Sequence, residues 1–478
     1  MSRLNPYIVL LTLIATLGGL LFGYDTAVIS GAVSSLKWYF IRPRHLSTDA
    51  ASTLLGFVTS SALIGCVLGS IIGGWVSTHI GRKGGLVIAA VLFLISALGA
   101  SAPEFMFAPI GHGGPTYIWN FAAYRIIGGV GVGLASMLAP MYIAEIAPAR
   151  IRGNLVAWNQ LAIIFGMLVI YFVNYAIASH GSTAWLHKIG WRYMFLSGSI
   201  PAAAFLLLLF MVPETPRYLM LKGREDKARA VLSRLVPAEE GDREIADIRA
   251  SLTEHHSGKL FSFGALLIVI GIMLSIFQQF VGINVVLYYA PTIFKGLGMT
   301  TDASLLQTII VGAVNLLFTI VAILTVDRLG RKPLQIIGAV VMAISMIALG
   351  ANFMFHGKGV IALLSMLIYI AGFALSWGPV TWVLLSEIFP NQIRGKAMAV
   401  AVAAQWIANY LISSTFLILN NNPYLIKTFN HGFAYFVYGI MSILAAVFVW
   451  ALVPETKNRS LEQMQHLWIK PGSASPDQ

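Results

Sequence analysis

Two side chains that fall deep inside long apolar stretches carry charge, Asp25 and Arg125. Each costs on the order of 3 kcal/mol to place in a bilayer interior, so each is a functional suspect by default. A carboxyl in apolar surroundings keeps its proton, whereas a guanidinium beside it favours the anion. A movement that parts or joins the two would load or release a proton; a permanent structural ion pair is the blander alternative. A second group is neutral: Gln160, Gln278, Gln279, Asn284, Gln405 and Asn409, with the indoles of Trp377, Trp382 and Trp406. Amides both donate and accept, as a hydroxyl does, and an indole adds an apolar face with one N–H. Any one amide serves equally well as glue between helices. As a set they predict a central polar cavity for an uncharged, polyhydroxylated ligand.

A third group recurs. Glu145, Pro148, Arg152 and Gly153 return with the same spacing as Glu387, Pro390, Arg394 and Gly395. Gly81-Arg82-Lys83 is echoed by Gly330-Arg331-Lys332, and Pro213-Glu214-Thr215 by Pro454-Glu455-Thr456. An internal duplication explains all three. The pairs Glu145 with Arg152 and Glu387 with Arg394, joined by Arg82 and Arg331, are expected to bridge the two halves in one of two states and so to set their balance.

The elements that must position these groups are long apolar helices. The chain has 478 residues, 58% hydrophobic and 10% charged, against about 25% charged for an ordinary soluble domain. Stretches at 10–28, 54–76, 86–100, 118–142, 155–177 and 193–212 precede six more at 261–281, 305–326, 334–353, 360–385, 397–419 and 434–453. Most approach the roughly 20 residues that a spanning helix needs, and 86–100 falls short. The fold class is therefore an all-α membrane protein, twelve transmembrane helices in two six-helix halves, 1–213 and 260–453. A charged helical linker, 214–259, joins them and a tail, 454–478, follows. Parallel six-helix halves are the arrangement of a rocker transporter. Gly19 and Gly23, then Gly65, Gly69 and Gly73, sit at the four-residue intervals of close helix packing. Gly282-Ile283-Asn284 and Gly378-Pro379 should interrupt their helices.

Most of the 31 Lys and Arg lie in the pieces expected to be cytoplasmic, which puts both termini in the cytoplasm and the chain in the cytoplasmic (inner) membrane. The net charge of +12 thus reflects topology and attraction to the lipid bilayer, not a nucleic-acid partner. The first stretch holds Asp25 and lacks a small-residue cleavage site, so it reads as a retained helix. Cys66 is the single cysteine, and no intrachain disulfide can form. No catalytic constellation, metal-ligand cluster or phosphate loop is apparent, so neither an enzyme nor a cofactor is expected.

Several motifs carry a family resemblance over nearly the whole chain: Gly18-Gly19-Leu20-Leu21-Phe22-Gly23-Tyr24-Asp25, Tyr124-Arg125-Ile126-Ile127-Gly128-Gly129, Pro213-Glu214-Thr215-Pro216-Arg217, Gln278-Gln279-Phe280-Val281-Gly282-Ile283-Asn284 and Trp377-Gly378-Pro379-Val380-Thr381-Trp382. With them the chain resembles the sugar porters of the major facilitator superfamily, and among these the bacterial D-xylose-proton symporters. The resemblance implies sugar contacts from Gln160, Gln278, Gln279, Asn284, Asn315, Trp382 and Gln405, and an aromatic rim of Phe22 and Tyr288, with Gly378 and Trp406 in the gating region. It implies that Asp25 is the proton site and Arg125 its partner. Two positions depart from the pattern. Thr78 and His79 stand where the family has Asp or Asn before Arg, and Phe195-Leu196-Ser197-Gly198 has glycine where the xylose-proton branch tends to have Glu. The expected activity is uptake of a sugar, D-xylose, with a proton, by a monomer using alternating access. The rivals are a facilitative sugar uniporter on the same fold and a transporter-like sugar sensor.

Overall fold

A computed structural model describes residues 5–148, 151–253, 260–357, 359–390 and 393–457. The tail expected from 454 is thus described to Lys457, and the last residues of the linker, 254–259, lie outside the described residues. Among the described residues the regular structure is entirely helical. Twelve helices among the described residues are long and apolar enough to cross a membrane: Pro6–Arg44, Thr48–His79, Arg82–Ser101, Pro115–Ile146, Arg152–Ser179, Thr183–Leu209, Ala265–Gly296, Thr301–Val326, Arg331–Met354, Gly359–Ile388, Arg394–Asn421 and Phe433–Leu452. They are called spans 1 to 12 below.

Hydropathy placed the start of span 3 too late. The helix begins at Arg82, and the Glu214 carboxylate accepts the backbone N–H groups of Arg82 (3.2 Å) and Lys83 (3.1 Å). An anion at a helix N-terminus satisfies orphan donors and complements the helix dipole. Gly81, with φ of 104°, turns the chain into that helix. Span 3 therefore has 20 residues, about what a spanning helix needs.

Both expected interruptions are present. Span 7 breaks between Phe280 and Ile283, with Gly282 at φ 94° against the ring of Tyr438. Span 10 breaks after Leu375 and resumes at Pro379, whose ring nitrogen cannot donate to the helix ladder.

By contacts the chain forms two compact units. The first comprises Met1–His255, Leu287–Ala313 and Ser413–Ile418; the second comprises His256–Val286, Val314–Ile412 and Leu419–Gln478. Parts of spans 7, 8 and 11 thus pack with the first unit. There the Tyr171 hydroxyl donates to Leu287 O (3.0 Å), the Tyr289 hydroxyl to Ser413 O (3.0 Å), and Lys295 Nζ to Ser34 Oγ (3.2 Å).

Within the first unit, glycines bring backbones into contact. A Cβ on Gly129 of span 4 would run into the carbonyl of Ala62, and one on Gly65 of span 2 into that of Ile126. Gly23 of span 1 abuts the Ile163 carbonyl of span 5 in the same way. Because backbone cannot step aside as a side chain can, Gly129→Ala should cost more than the about 1–3 kcal/mol of ordinary overpacking. Thermal unfolding in detergent should show a clear drop in midpoint for Gly129→Ala and none for Gly74→Ala, whose Cβ meets nothing within 4 Å.

Candidate functional site

The two buried charges meet in the first unit. Arg125 Nη1 donates to Asp25 Oδ1 at 2.8 Å, and Nη2 to the main-chain oxygen of Asp25 at 2.9 Å. The Arg125 side chain is 1% exposed and that of Asp25 13%. The guanidinium also lies over the Phe195 ring, 5.5 Å from its centroid. The second carboxylate oxygen, Oδ2, is buried with no hydrogen-bond partner. Arg125 thus holds one oxygen of the carboxylate and not the other. Tyr24, adjacent in sequence, sends its hydroxyl to Ser197 Oγ of span 6, 2.8 Å away.

The neutral set meets in the second unit, at the two helix breaks. Gln278 Nε2 donates to Trp377 O (2.9 Å) and Gly378 O (3.3 Å), carbonyls set free where span 10 is interrupted. Gln279 Nε2 donates to Gln278 Oε1 (3.3 Å), and Asn284 Nδ2 to Gln279 Oε1 (2.6 Å). The Tyr369 hydroxyl holds Val281 O at 2.8 Å. A chain of amides therefore ties the break in span 7 to the break in span 10. Amides in such a chain can exchange partners with a ligand hydroxyl at little cost, since each can turn a donor or an acceptor to it.

The remaining expected contacts fall as follows. In the second unit Asn315 and Gln405 are buried, and Gln405 Oε1 has no hydrogen-bond partner. Trp382 is partly exposed and Trp406 buried. Trp377 takes a different part from the one its indole suggested: it is fully buried and its N–H is spent on Gln335 O at 2.9 Å. It supports the break in span 10 and presents no free donor. Gln160, partly exposed, Phe22, partly exposed, and Tyr288, buried, belong to the first unit.

The duplicated signatures build one charge network in each unit, with partners other than those expected. Arg82 Nη2 bonds Glu145 Oε1 at 2.7 Å, and Thr215 Oγ1 donates to Glu145 Oε2 at 2.6 Å. In the second unit Arg331 Nη2 bonds Glu387 Oε1 at 2.9 Å, and Thr456 Oγ1 donates to Glu387 Oε2 at 2.5 Å. Glu145 and Glu387 both lie in the last turn of a helix, where the dipole disfavours an anion, so a guanidinium beside each offsets a real penalty. Arg152 and Arg394 do not pair with these glutamates. Each starts the next helix and sends its Nε back to the carbonyl five residues earlier, Ala147 O (3.4 Å) and Phe389 O (3.2 Å), which closes the intervening loop. Arg152 adds an ion pair with Glu244 of the linker at 3.6 Å. Glu214 and Glu455 cap spans 3 and 9 alike, Glu455 accepting from Arg331 N (3.1 Å) and Lys332 N (3.0 Å). Their titration differs. Burial pushes Glu214 above the usual carboxylate range despite its backbone donors. For the less buried Glu455, desolvation also raises it, yet the N–H groups of Lys457, Arg331, Lys332 and Thr456 outweigh that and hold it below.

One buried ion pair was not anticipated. Arg192 Nη2 lies 2.7 Å from Glu104 Oε1, with side chains 5% and 1% exposed, and Nη2 also donates to the Tyr39 hydroxyl at 3.1 Å. Glu104 further accepts from Gly111 N at 2.5 Å, so the pair pins the loop between spans 3 and 4. The signal available was a cation flanked by aromatics in Trp191-Arg192-Tyr193, at the edge of an apolar stretch.

Comparison with known proteins agrees over the length of the chain. The family described as "Sugar (and other) transporter" matches residues 11–468. The D-xylose-proton symporter of Escherichia coli K12 is 57% identical over 472 residues, covering 97% of this chain and 96% of that protein. The glucose facilitated diffusion protein of Zymomonas mobilis is 45% identical over 461 residues, covering 96% and 97%. The solved structure of the major facilitator superfamily proton:xylose symporter XylE bound to 6-bromo-6-deoxy-D-glucose superposes with a TM-score of 0.85 at 56% identity, covering 98% of this chain and all of that one.

Proposed function

This chain belongs to the sugar transporter family of the major facilitator superfamily, and from that premise we propose that it is a proton-coupled symporter that takes up D-xylose by alternating access. The observation that carries coupling is Asp25, a carboxylate within a membrane-spanning helix, held on one oxygen by Arg125. Protonation of Asp25 neutralises it and removes its ionic attraction for the guanidinium, which keeps only the bond to the main-chain oxygen; deprotonation restores the pair. Sugar and proton are moved together if the pair is broken in one conformation and closed in the other. A facilitative uniporter would have no use for a titratable group at this place.

The sugar is held by the amides of Gln278, Gln279, Asn284 and Gln405, by Asn315 and by the indole of Trp382, with Gln160 as a further contact and Phe22 and Tyr288 as rim. The breaks at Gly282 and Gly378 allow local bending, and Trp406 belongs to the gating region. The charge networks Arg82–Glu145 and Arg331–Glu387, with the loop closures by Arg152 and Arg394, face the cytoplasm, as do both termini. The protein works as a monomer in the cytoplasmic membrane, with the lipid bilayer as its surroundings.

Gln279→Ala removes the acceptor of Asn284 and the donor to Gln278. A lost hydrogen bond to a buried group costs about 1–3 kcal/mol, so D-xylose affinity should fall roughly 5- to 150-fold. Calorimetric titration of the purified variant checks this; wild-type affinity would remove Gln279 from the site. Uptake into vesicles of a sugar panel, with and without a proton gradient, tests the function as a whole.

A further inference from the structure

Asp25 lines a small cavity. Its walls come from Tyr24 and Val28 of span 1, Phe93 and Ala97 of span 3, and Phe195 and Gly198 of span 6. It leaves room for about one water molecule. Asp25 Oδ1 and its main-chain oxygen are taken by Arg125, while Oδ2, buried, has no partner in the protein. A buried carboxylate oxygen without a donor calls for one.

The walls cannot supply it. Tyr24 carries the one hydroxyl among them. Ser197 Oγ, its neighbour at 2.8 Å, spends its own hydrogen on Met194 O at 2.6 Å, so the Tyr24 hydrogen is committed to Ser197. The remaining wall side chains are apolar. The single thiol, Cys66, is buried in span 2 and is not part of the walls. Ser96 Oγ, like Asp25 Oδ1, lies near the point where a Cβ on Gly128 would fall, but it is buried without a hydrogen-bond partner and so donates to neither carboxylate oxygen.

Gly198 is the residue that keeps the space open. Its backbone is ordinary right-handed helix, with φ of −62°, so no strain demands glycine there. A Cβ would meet Phe195 O at 3.3 Å, Ala97 Cβ at 3.6 Å and Tyr24 Cε1 at 3.6 Å, a fit needing only a slight give. Glycine weakens a helix that alanine would support, and what it preserves at this position is the cavity.

We infer that the Gly198 cavity is a water site serving Asp25: one water donates to Oδ2 and is the group through which the proton reaches and leaves the carboxyl. On loading, a hydrated proton at this site passes H⁺ to Oδ2, leaving a neutral carboxyl and a neutral water. On release the carboxyl returns H⁺ to that water as Arg125 closes on the anion. This rests on the proton-coupled reading above. Gly198 acts through the water and is a positioning residue.

The test narrows the cavity from two sides, with Gly198→Ala from span 6 and Ala97→Val from span 3, in the full-length protein reconstituted into vesicles. Sugar-driven proton entry is read with an internal pH-sensitive dye, and sugar exchange with labelled D-xylose at equal concentration on both sides. Because exchange needs no net proton movement, the ratio of the two rates isolates the relay. The expected result is a ratio about tenfold below wild type in both variants. Wild-type ratios in both would overturn the water site, and so would proton entry and exchange falling in step, since that marks an obstructed conformational cycle. The wild-type arm separates this from the parent reading: no sugar-driven proton entry in wild type defeats coupling itself, whereas normal entry in wild type and in both variants defeats the water site alone.

Discussion

Asp25→Asn is expected to abolish concentrative uptake while exchange of sugar across the membrane continues. Asparagine keeps the shape of the side chain but cannot take up or release a proton. Arg125 would retain the bond from Nη2 to the main-chain oxygen of residue 25 and an amide oxygen in place of Oδ1, but lose the ionic attraction. The pair then no longer distinguishes a loaded from an unloaded state. A pH difference of one unit is worth about 1.4 kcal/mol per proton, about tenfold in sugar concentration for each proton moved. In vesicles with an imposed gradient, wild type should accumulate D-xylose by that order and Asp25→Asn should equilibrate it, an accumulation ratio near one. A variant that accumulates as wild type does would place the coupling proton elsewhere.

The second large effect is expected at Glu387. Alanine there removes the carboxylate 2.9 Å from the Arg331 guanidinium and takes the acceptor from Thr456. Removing one side of a half-buried pair destabilises the conformation that contains it. Glu387 lies away from the amide cluster, so sugar affinity is not its direct concern; the balance between two conformations is. A shift of about 1.5–3 kcal/mol changes that balance roughly 10- to 150-fold. Transport should therefore fall by at least tenfold, with the Kd for D-xylose within a few-fold of wild type. Equal losses in binding and transport, in correctly inserted protein, would contradict a role in state balance. Glu145→Ala removes the equivalent partner of Arg82 in the first unit and should behave alike.

Much of this was legible in the chain because membrane constraints are severe. Long apolar runs allow one kind of element, and a charge inside such a run, as at Asp25 and Arg125, stands out against its cost. The duplication announced the two parallel charge networks, and Gly282 and Gly378-Pro379 marked helix breaks where the structure has them. The misreadings share a cause, which is that sequence proximity does not decide polar partners. Arg152 and Arg394 follow their glutamates by seven residues, yet Arg82 and Arg331 arrive from 63 and 56 residues away and take the carboxylates. Glu104 and Arg192 are 88 residues apart at the edges of apolar runs, where a charge looks solvated until the fold buries it. Trp377 looked like a ligand contact because an indole suits a sugar, and only the position of Gln335 O shows that its N–H is already used. Hydropathy starts the third apolar run at residue 86 because Arg82 and Lys83 are hydrophilic, although Glu214 makes them the first turn of the helix.

Coupled transport is tested most directly by loading vesicles that contain the purified protein with a pH-sensitive dye and adding D-xylose outside with no pH difference imposed. Proton-coupled symport predicts acidification of the lumen that begins with the sugar, scales with its concentration and is absent in Asp25→Asn. Labelled D-xylose entering such vesicles with no change in luminal pH would contradict it and identify the protein as a facilitative carrier.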